Sequence, residues 1–308
     1  MDIDLITNIL YATIRTGTPL ILVALGEMVC EKSGVLNLGQ EGTLLMGAVI
    51  GFIAAVTTGN LFVAVLIAIV AGMAMSLLFG FLSITLVSNQ VATGLALTIF
   101  GAGLSAFLGS SYVGIGIDGI QPLAIPYLAD IPVIGKIFFQ QDPLVYLSFI
   151  LFGLVYWTFN STRLGLKIRA VGENPEAANA MGMNVHGIRY MAVLFGGAMT
   201  GLAGGYLSLA YTPLWSEGMS AGRGWIALAL VVFASWKAER IMLGAYLFGA
   251  ASIMHLVMQG LGFDVAPNLL AMLPYVATIL VLVLLGSNSI KAKLSAPISL
   301  GQPYRPQL

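Results

Sequence analysis

The sequence predicts an all-α polytopic membrane protein of about nine transmembrane helices, within a range of about 8 to 10, in a single domain over residues 1–308. Three observations predict this class. Hydrophobic residues make up 58% of the chain and charged residues only 8%, against about 25% charged in a soluble domain. The apolar residues fall into span-length stretches separated by short polar breaks. Glycine supplies 37 of 308 residues, as expected where membrane helices approach closely.

Composition also excludes classes. The formal net charge is zero, which argues against a nucleic-acid surface and leaves membrane lipid as the surrounding medium. A lone Cys30 excludes an intramolecular disulfide. His186 and His255 are the only histidines, and no metal-ligand spacing or triad-like grouping occurs, so neither an enzyme nor a cofactor is expected. No GxxxxGK[ST] run occurs, so the chain does not hydrolyse ATP through a P-loop. The opening MDIDLITNIL carries Asp2 and Asp4 without a basic region, unlike a cleavable signal peptide.

In chain order, residues 3–29 are apolar but interrupted at Arg15-Thr16-Gly17-Thr18-Pro19. Either one long kinked helix runs through, or a short interfacial helix precedes a span starting near Pro19. An interfacial Arg15 is the favoured expectation, because a cation at mid-bilayer is costly. Residues 26–48 hold Glu27, Glu31, Lys32, Asn37, Gln40 and Glu41 among several glycines. Such backbone is tolerated at membrane depth only inside protein or beside a cavity. A turn running into a broken or re-entrant helix start is expected, with Asn37, Gln40 and Glu41 beside a translocation pathway. Spans are expected at about 43–57 and 61–87, then at about 91–109 after the break Ser88-Asn89-Gln90. Asn89 and Gln90 either line the mouth of the pathway or cap helices. Residues 110–142, rich in Gly and Pro and poor in Lys and Arg, suit the external face. Further spans are expected at about 143–160, 190–212, 225–236, 241–259 and 268–286. Gly196, Gly197, Gly201, Gly204 and Gly205 form a helix-packing face, here assigned to contact with a second chain. Residues 213–224 are expected as an external loop, with Trp215 and Trp225 as an interfacial belt.

Residues 162–189 are the one long polar segment. Asn174 suits an N-cap, Pro175 the first helical position, Glu176 the first turn, and Gly182 a helix exit. Asn184 can cap the following span. Ala177, Ala178, Ala180, Met181 and Met183 give an exposed Ala/Met surface suited to docking in a partner's groove. Of thirteen basic residues, all but Arg15, Lys136 and Arg223 fall on the side of this loop. The basic side is expected to face the cytoplasm, with the N-terminus outside and the C-terminus inside.

These residues carry a resemblance. Glu176-Ala177-Ala178, three residues, then Gly182 is similar to the coupling loop of ABC importer permeases. RAVGENPEAANAMG (169–182), EKSGVLNLGQEG (31–42), Asn89-Gln90-Val91 with Gly94-Leu95-Ala96-Leu97-Thr98, and GRGWIALALVVFASW (222–236) resemble the branch for simple sugars, branched-chain amino acids and nucleosides. An apolar-Pro ending of the coupling motif is absent, since the chain reads Ala192-Val193-Leu194. The resemblance implies a type II importer-like permease in the cell membrane. It implies that Gly172, Asn174, Pro175, Glu176, Ala177, Ala178, Met181 and Gly182 couple to a separate double-headed ABC ATPase. It further implies a second, larger permease subunit and an extracytoplasmic solute-binding lipoprotein. The smaller permease of purine-nucleoside importers is the nearest likeness; a simple-sugar or branched-chain amino-acid permease is the alternative. An ATP-independent channel or carrier is the competing class.

Overall fold

A computed structural model describes residues 3–260 and 296–305, with Met272, Val276 and Ile279 between them. Eleven α-helices follow in order: α1 (Ile3–Lys32), α2 (Gln40–Thr58), α3 (Leu61–Gly80), α4 (Gln90–Gly109), α5 (Ile134–Phe139), α6 (Pro143–Ser161), α7 (Arg163–Glu173), α8 (Pro175–Ala180), α9 (Val185–Tyr206), α10 (Arg223–Phe233) and α11 (Ala238–Gly260). Short π-helical turns, Phe81–Thr85 and Leu207–Tyr211, extend α3 and α9. Among the described residues the only β pairing is one isolated bridge, Gly116 to Leu214. Seven helices, α1, α2, α3, α4, α6, α9 and α11, are long and apolar enough to cross a membrane.

Two of the nine expected spans are not among these seven. Residues 268–286, apart from Met272, Val276 and Ile279, lie outside the described residues. The expected span at 225–236 is α10, eleven residues long, or about 16 Å of helix, roughly half a hydrocarbon core. The expected loop at 213–224 keeps Glu217 and Gly218 exposed, with Trp225 outward beyond it, but Trp215 is 1% exposed and Ser220 likewise, so Trp215 takes no part in a surface belt. Its polar groups are drawn in by Glu41, as described below.

α1 is one unbroken helix, which removes the expected interfacial segment before Pro19. Proline lacks an N–H, so Pro19 leaves the carbonyl of Arg15 without its helical donor. Tyr206 Oη donates to that carbonyl at 3.1 Å. The Arg15 side chain is also held within the protein: Nη2 donates to Ala210 O at 2.7 Å, and Nε lies 3.6 Å from Asp142 Oδ2. Asp142 in turn caps α6, accepting from Leu144 N and Val145 N at 3.1 Å each. Burial raises the Asp142 carboxyl, while these backbone donors and Arg15 oppose the rise.

α9 is the central helix, packed against α1, α2 and α3. Its glycine face makes this possible. A methyl placed on Gly72 of α3 would stand 2.6 Å from Gly201 Cα, and one on Gly47 of α2 would stand 2.7 Å from Gly201 O. The glycines expected to meet a second chain are therefore consumed inside this one. α3, α4 and α6 instead turn apolar side chains outward, among them Leu66, Phe107 and Ile150.

Gly72→Val should lower the thermal unfolding midpoint in detergent sharply, because overpacking costs about 1–3 kcal/mol or more. Gly103→Val, where nothing lies within 4 Å, should leave it unchanged. Equal shifts in the two variants would refute the backbone-contact account.

Candidate functional site

The site is built where helices break inside the protein. At the end of α1 the chain turns, with Ser33 N donating to Cys30 O and Gly34 N to Glu31 O. It then runs back without helical structure through residues 35–39, and α2 starts at Gln40. The turn lies level with Arg189 of α9, whose Nε donates to Ser33 O at 3.2 Å. Gln40 lies level with Thr200, whose hydroxyl donates to Gln40 Oε1 at 2.6 Å. Arg189 and Thr200 are eleven residues apart on α9, about 16 Å of helix. α2 therefore begins deep in the bundle.

Non-helical backbone at that depth needs partners. Glu27, fully buried, accepts from Asn37 N at 2.9 Å and from Gln40 Nε2. Gln90 Oε1 accepts from Leu36 N at 2.8 Å, and Thr98 Oγ1 donates to Leu38 O at 2.9 Å. Asn37 Oδ1 accepts from Gly39 N at 2.9 Å, while its Nδ2 is buried and has no hydrogen-bond partner among the described residues. Asn89 is exposed and caps α4, accepting from Ala92 N at 3.0 Å.

Glu41 joins the second break. Its Oε1 accepts from Ser220 Oγ at 2.6 Å and Gly222 N at 2.9 Å, and its Oε2 from Gly224 N at 2.6 Å. Gly222, the residue before α10, supplies no side-chain cap. A carboxylate from α2 thus satisfies the orphan N–H groups of α10, where the helix dipole favours negative charge. The contact needs Gly224, because a methyl there would lie 2.6 Å from Glu41 Cα. At its other end α10 is tied to α1 by Trp236 Nε1 donating to Glu31 Oε2.

The second candidate region is α7–α8 and the start of α9. Asn174 accepts from Ala177 N, and Asn184 from Gly187 N, each at 2.9 Å. Pro175 opens α8, and Gly182 leaves it at φ +79°. Glu176, Ala177, Ala180 and Met181 are exposed, Met181 by 82%. Ala178, expected on that surface, is instead buried against Val171, Val185 and Tyr304, and Met183 packs beside them. Gly172, in α7, packs on the turn after α1, where a methyl would stand 3.2 Å from Gly34 N, and its carbonyl accepts from Ser299 N at 3.0 Å and from Ser299 Oγ at 2.6 Å. Arg189, expected as a loop cation, is 2% exposed and lies with its guanidinium 5.7 Å from the Tyr304 ring.

The structure thus brings Asn37, Gln40, Glu41 and Gln90 into one buried network and leaves Asn89 outside it. Sequence reasoning missed Thr200, Ser220, Gly222, Gly224 and Trp236 as its partners. A signal was present: carboxylates in an apolar chain require donors, and 220–224 is the polar, glycine-rich stretch able to reach them.

Glu41→Ala should destabilise the protein by about 1–3 kcal/mol for each buried donor it orphans. Glu41→Gln retains one acceptor oxygen, enough for the two donors that meet at Oε1, and should cost less. Unfolding midpoints in detergent check this, and equal losses in the two variants would count against the capping role.

Residues 9–284 match the family described as branched-chain amino acid transport system / permease component. The chain is 39% identical to a putative glucose ABC transporter permease, TsgC13 of Haloferax volcanii, over 98% of each protein. It is 33% identical to the guanosine ABC transporter permease NupQ of Bacillus subtilis, over 99% of this chain and 98% of that one. The nucleoside ABC transporter permease NupC of Lactococcus lactis is 32% identical over 90% of this chain and 91% of its own. A more distant relative in the same Bacillus, the guanosine permease NupP, is 25% identical over 78% of this chain and 72% of its own. No solved structure matches the chain. The broken helices, the basal α7–α8 pair and these similarities converge: the chain belongs to the branched-chain amino acid transport system permease family, and is a non-enzymatic, multi-pass permease subunit of an ABC transporter.

Proposed function

We propose that the chain passes a nucleoside into the cell as the smaller of two different permease subunits. A separate double-headed ATPase drives it, and an extracytoplasmic binding lipoprotein delivers the solute. The observation that carries the solute is the near full-length similarity to two permeases named for nucleosides, NupQ and NupC. Glucose is the second reading, favoured by the 39% identity to TsgC13. Either solute is neutral and rich in hydroxyls. Asn37 Nδ2, the one uncommitted donor of the network's side-chain amides, suits a hydroxyl in a conformation that opens the segment. Gln40, Glu41 and Gln90 hold that segment in place, and Asn89 ends α4 at the mouth. The pairing with a second permease is supported by the two guanosine permeases of one Bacillus, of which NupP is the more distant relative.

The end bearing α7 and α8 faces the cytoplasm in this reading. Arg163, Lys167, Arg169, Lys237 and Arg240 support that orientation. The exposed Glu176, Ala177 and Met181 enter the ATPase, Asn174, Pro175 and Gly182 shape the helix, and Gly172 and Ala178 seat it. Because Ala178 is buried, a bulky residue there would unseat α8 from its own chain. The informative substitutions are therefore Ala177→Trp and Met181→Glu. Each should lower uptake at least about tenfold while membrane abundance stays normal, since docking at such a contact is worth more than about 1.4 kcal/mol. Undiminished uptake in both would overturn the coupling role. In cells carrying the whole transporter, unlabelled nucleosides should compete with labelled guanosine and glucose should not. Competition by glucose alone would transfer the assignment to the second reading.

A further inference from the structure

A cavity of about 230 Å³ opens between α1, α6 and the α10–α11 turn. Lys32, Arg169 and Lys237 line it, with Phe159, Tyr156 and Trp236 among its walls. Asn160 and one carboxylate, Glu239, also reach it. Among the described residues none of the three cations has a carboxylate within 4.0 Å, the one such pair being Arg15 with Asp142. The lining charge is therefore three positive against one negative. Lys32 Nζ lies 6.0 Å from the Phe159 ring centre, Lys237 immediately precedes α11, and the first turn of α11 contributes Ala238 and Glu239.

The residues around the cavity are of the kind that suit a membrane surface. α7 runs along it as an amphipathic helix, with Leu164 and Leu166 exposed among Arg163, Lys167 and Arg169. On α6, Tyr156 and Trp157 are exposed by 45% and 59%, an aromatic pair suited to the headgroup layer. The turn holding Trp236 and Lys237 is fixed in an unusual backbone shape. Ser235 and Trp236 both have positive φ, 52° and 56°, and Trp236 is bonded to Glu31. Non-glycine residues in that region persist only where surroundings hold them.

We infer that this cavity binds the phosphate of an anionic phospholipid, with Lys32, Arg169 and Lys237 around the headgroup and the aromatic walls against its glycerol end. A cleft with unpaired cations between membrane helices, at headgroup height, is the chemistry such lipids recognise. A soluble phosphate shares that chemistry, so the test separates the two.

The full-length chain is purified in detergent, delipidated, and titrated with phosphatidylglycerol, with phosphatidylcholine, or with inorganic phosphate, reading lipid retention by native mass spectrometry and the unfolding midpoint. Phosphatidylglycerol should be retained and raise the midpoint, and phosphatidylcholine should not. Lys237→Gln changes an exposed residue and should weaken retention about fivefold; the triple change of Lys32, Arg169 and Lys237 to Gln should weaken it about a hundredfold. Equal protection by inorganic phosphate would assign the site to a soluble anion and overturn the lipid assignment. Undiminished retention in Lys237→Gln and in the triple variant would overturn the site. A destabilised triple variant that still prefers phosphatidylglycerol as strongly as the parent would mean that the cations serve only the stability of the fold, and would overturn it too.

Discussion

Glu41 is the interaction on which the architecture depends. A helix that starts inside a membrane protein exposes N–H groups where no water can satisfy them. α10 starts there, and the carboxylate of Glu41 accepts from Ser220, Gly222 and Gly224 around its first turn. Because Glu41 is itself in the first turn of α2, one side chain ties two interrupted helices together. Glu27 does the same for the returning segment, through Asn37 and Gln40. These buried carboxylates are tolerable because each is met by donors fixed in place by backbone.

Around that polar centre the packing is dominated by close backbone approach. α9 presses its glycines on α1, α2 and α3, and its Thr200 hydroxyl reaches into the polar network. The same helix carries Arg189 at its base, bonded to the turn after α1 and beside Tyr304 of the terminal segment. α9 therefore links the interrupted helices to the seat of α8. The seat of α8 and residues 33–40 thus share contacts with one helix.

The membrane class and most spans were legible because long apolar runs have few alternatives. The caps Asn174 and Asn184 were legible because their chemistry is local. What failed was tertiary. The run at 225–236 has the hydropathy of a span, but its depth is set by a carboxylate almost two hundred residues away. Ala178 and Met181 are three residues apart on a short helix, and only the fold shows that Tyr304 covers the first. Arg15 reads as too costly for a continuous helix until Ala210 and Asp142 are seen beside it. The glycine face of α9 announces close packing without saying which helices come close.

The terminal segment has a consequence for how the protein is made. Ser299 bonds to Gly172, Gly301 donates to Gly34, and Tyr304 packs under α8 beside Arg189. Synthesis runs from the N-terminus, so α7 and α8 enter their places long before residues 299–304 exist. Until those residues emerge, the Gly172 carbonyl and the underside of α8 lack their covering partners. A chain lacking residues 299–304 thus presents an unfinished base, with the Gly172 carbonyl and Ala178 uncovered.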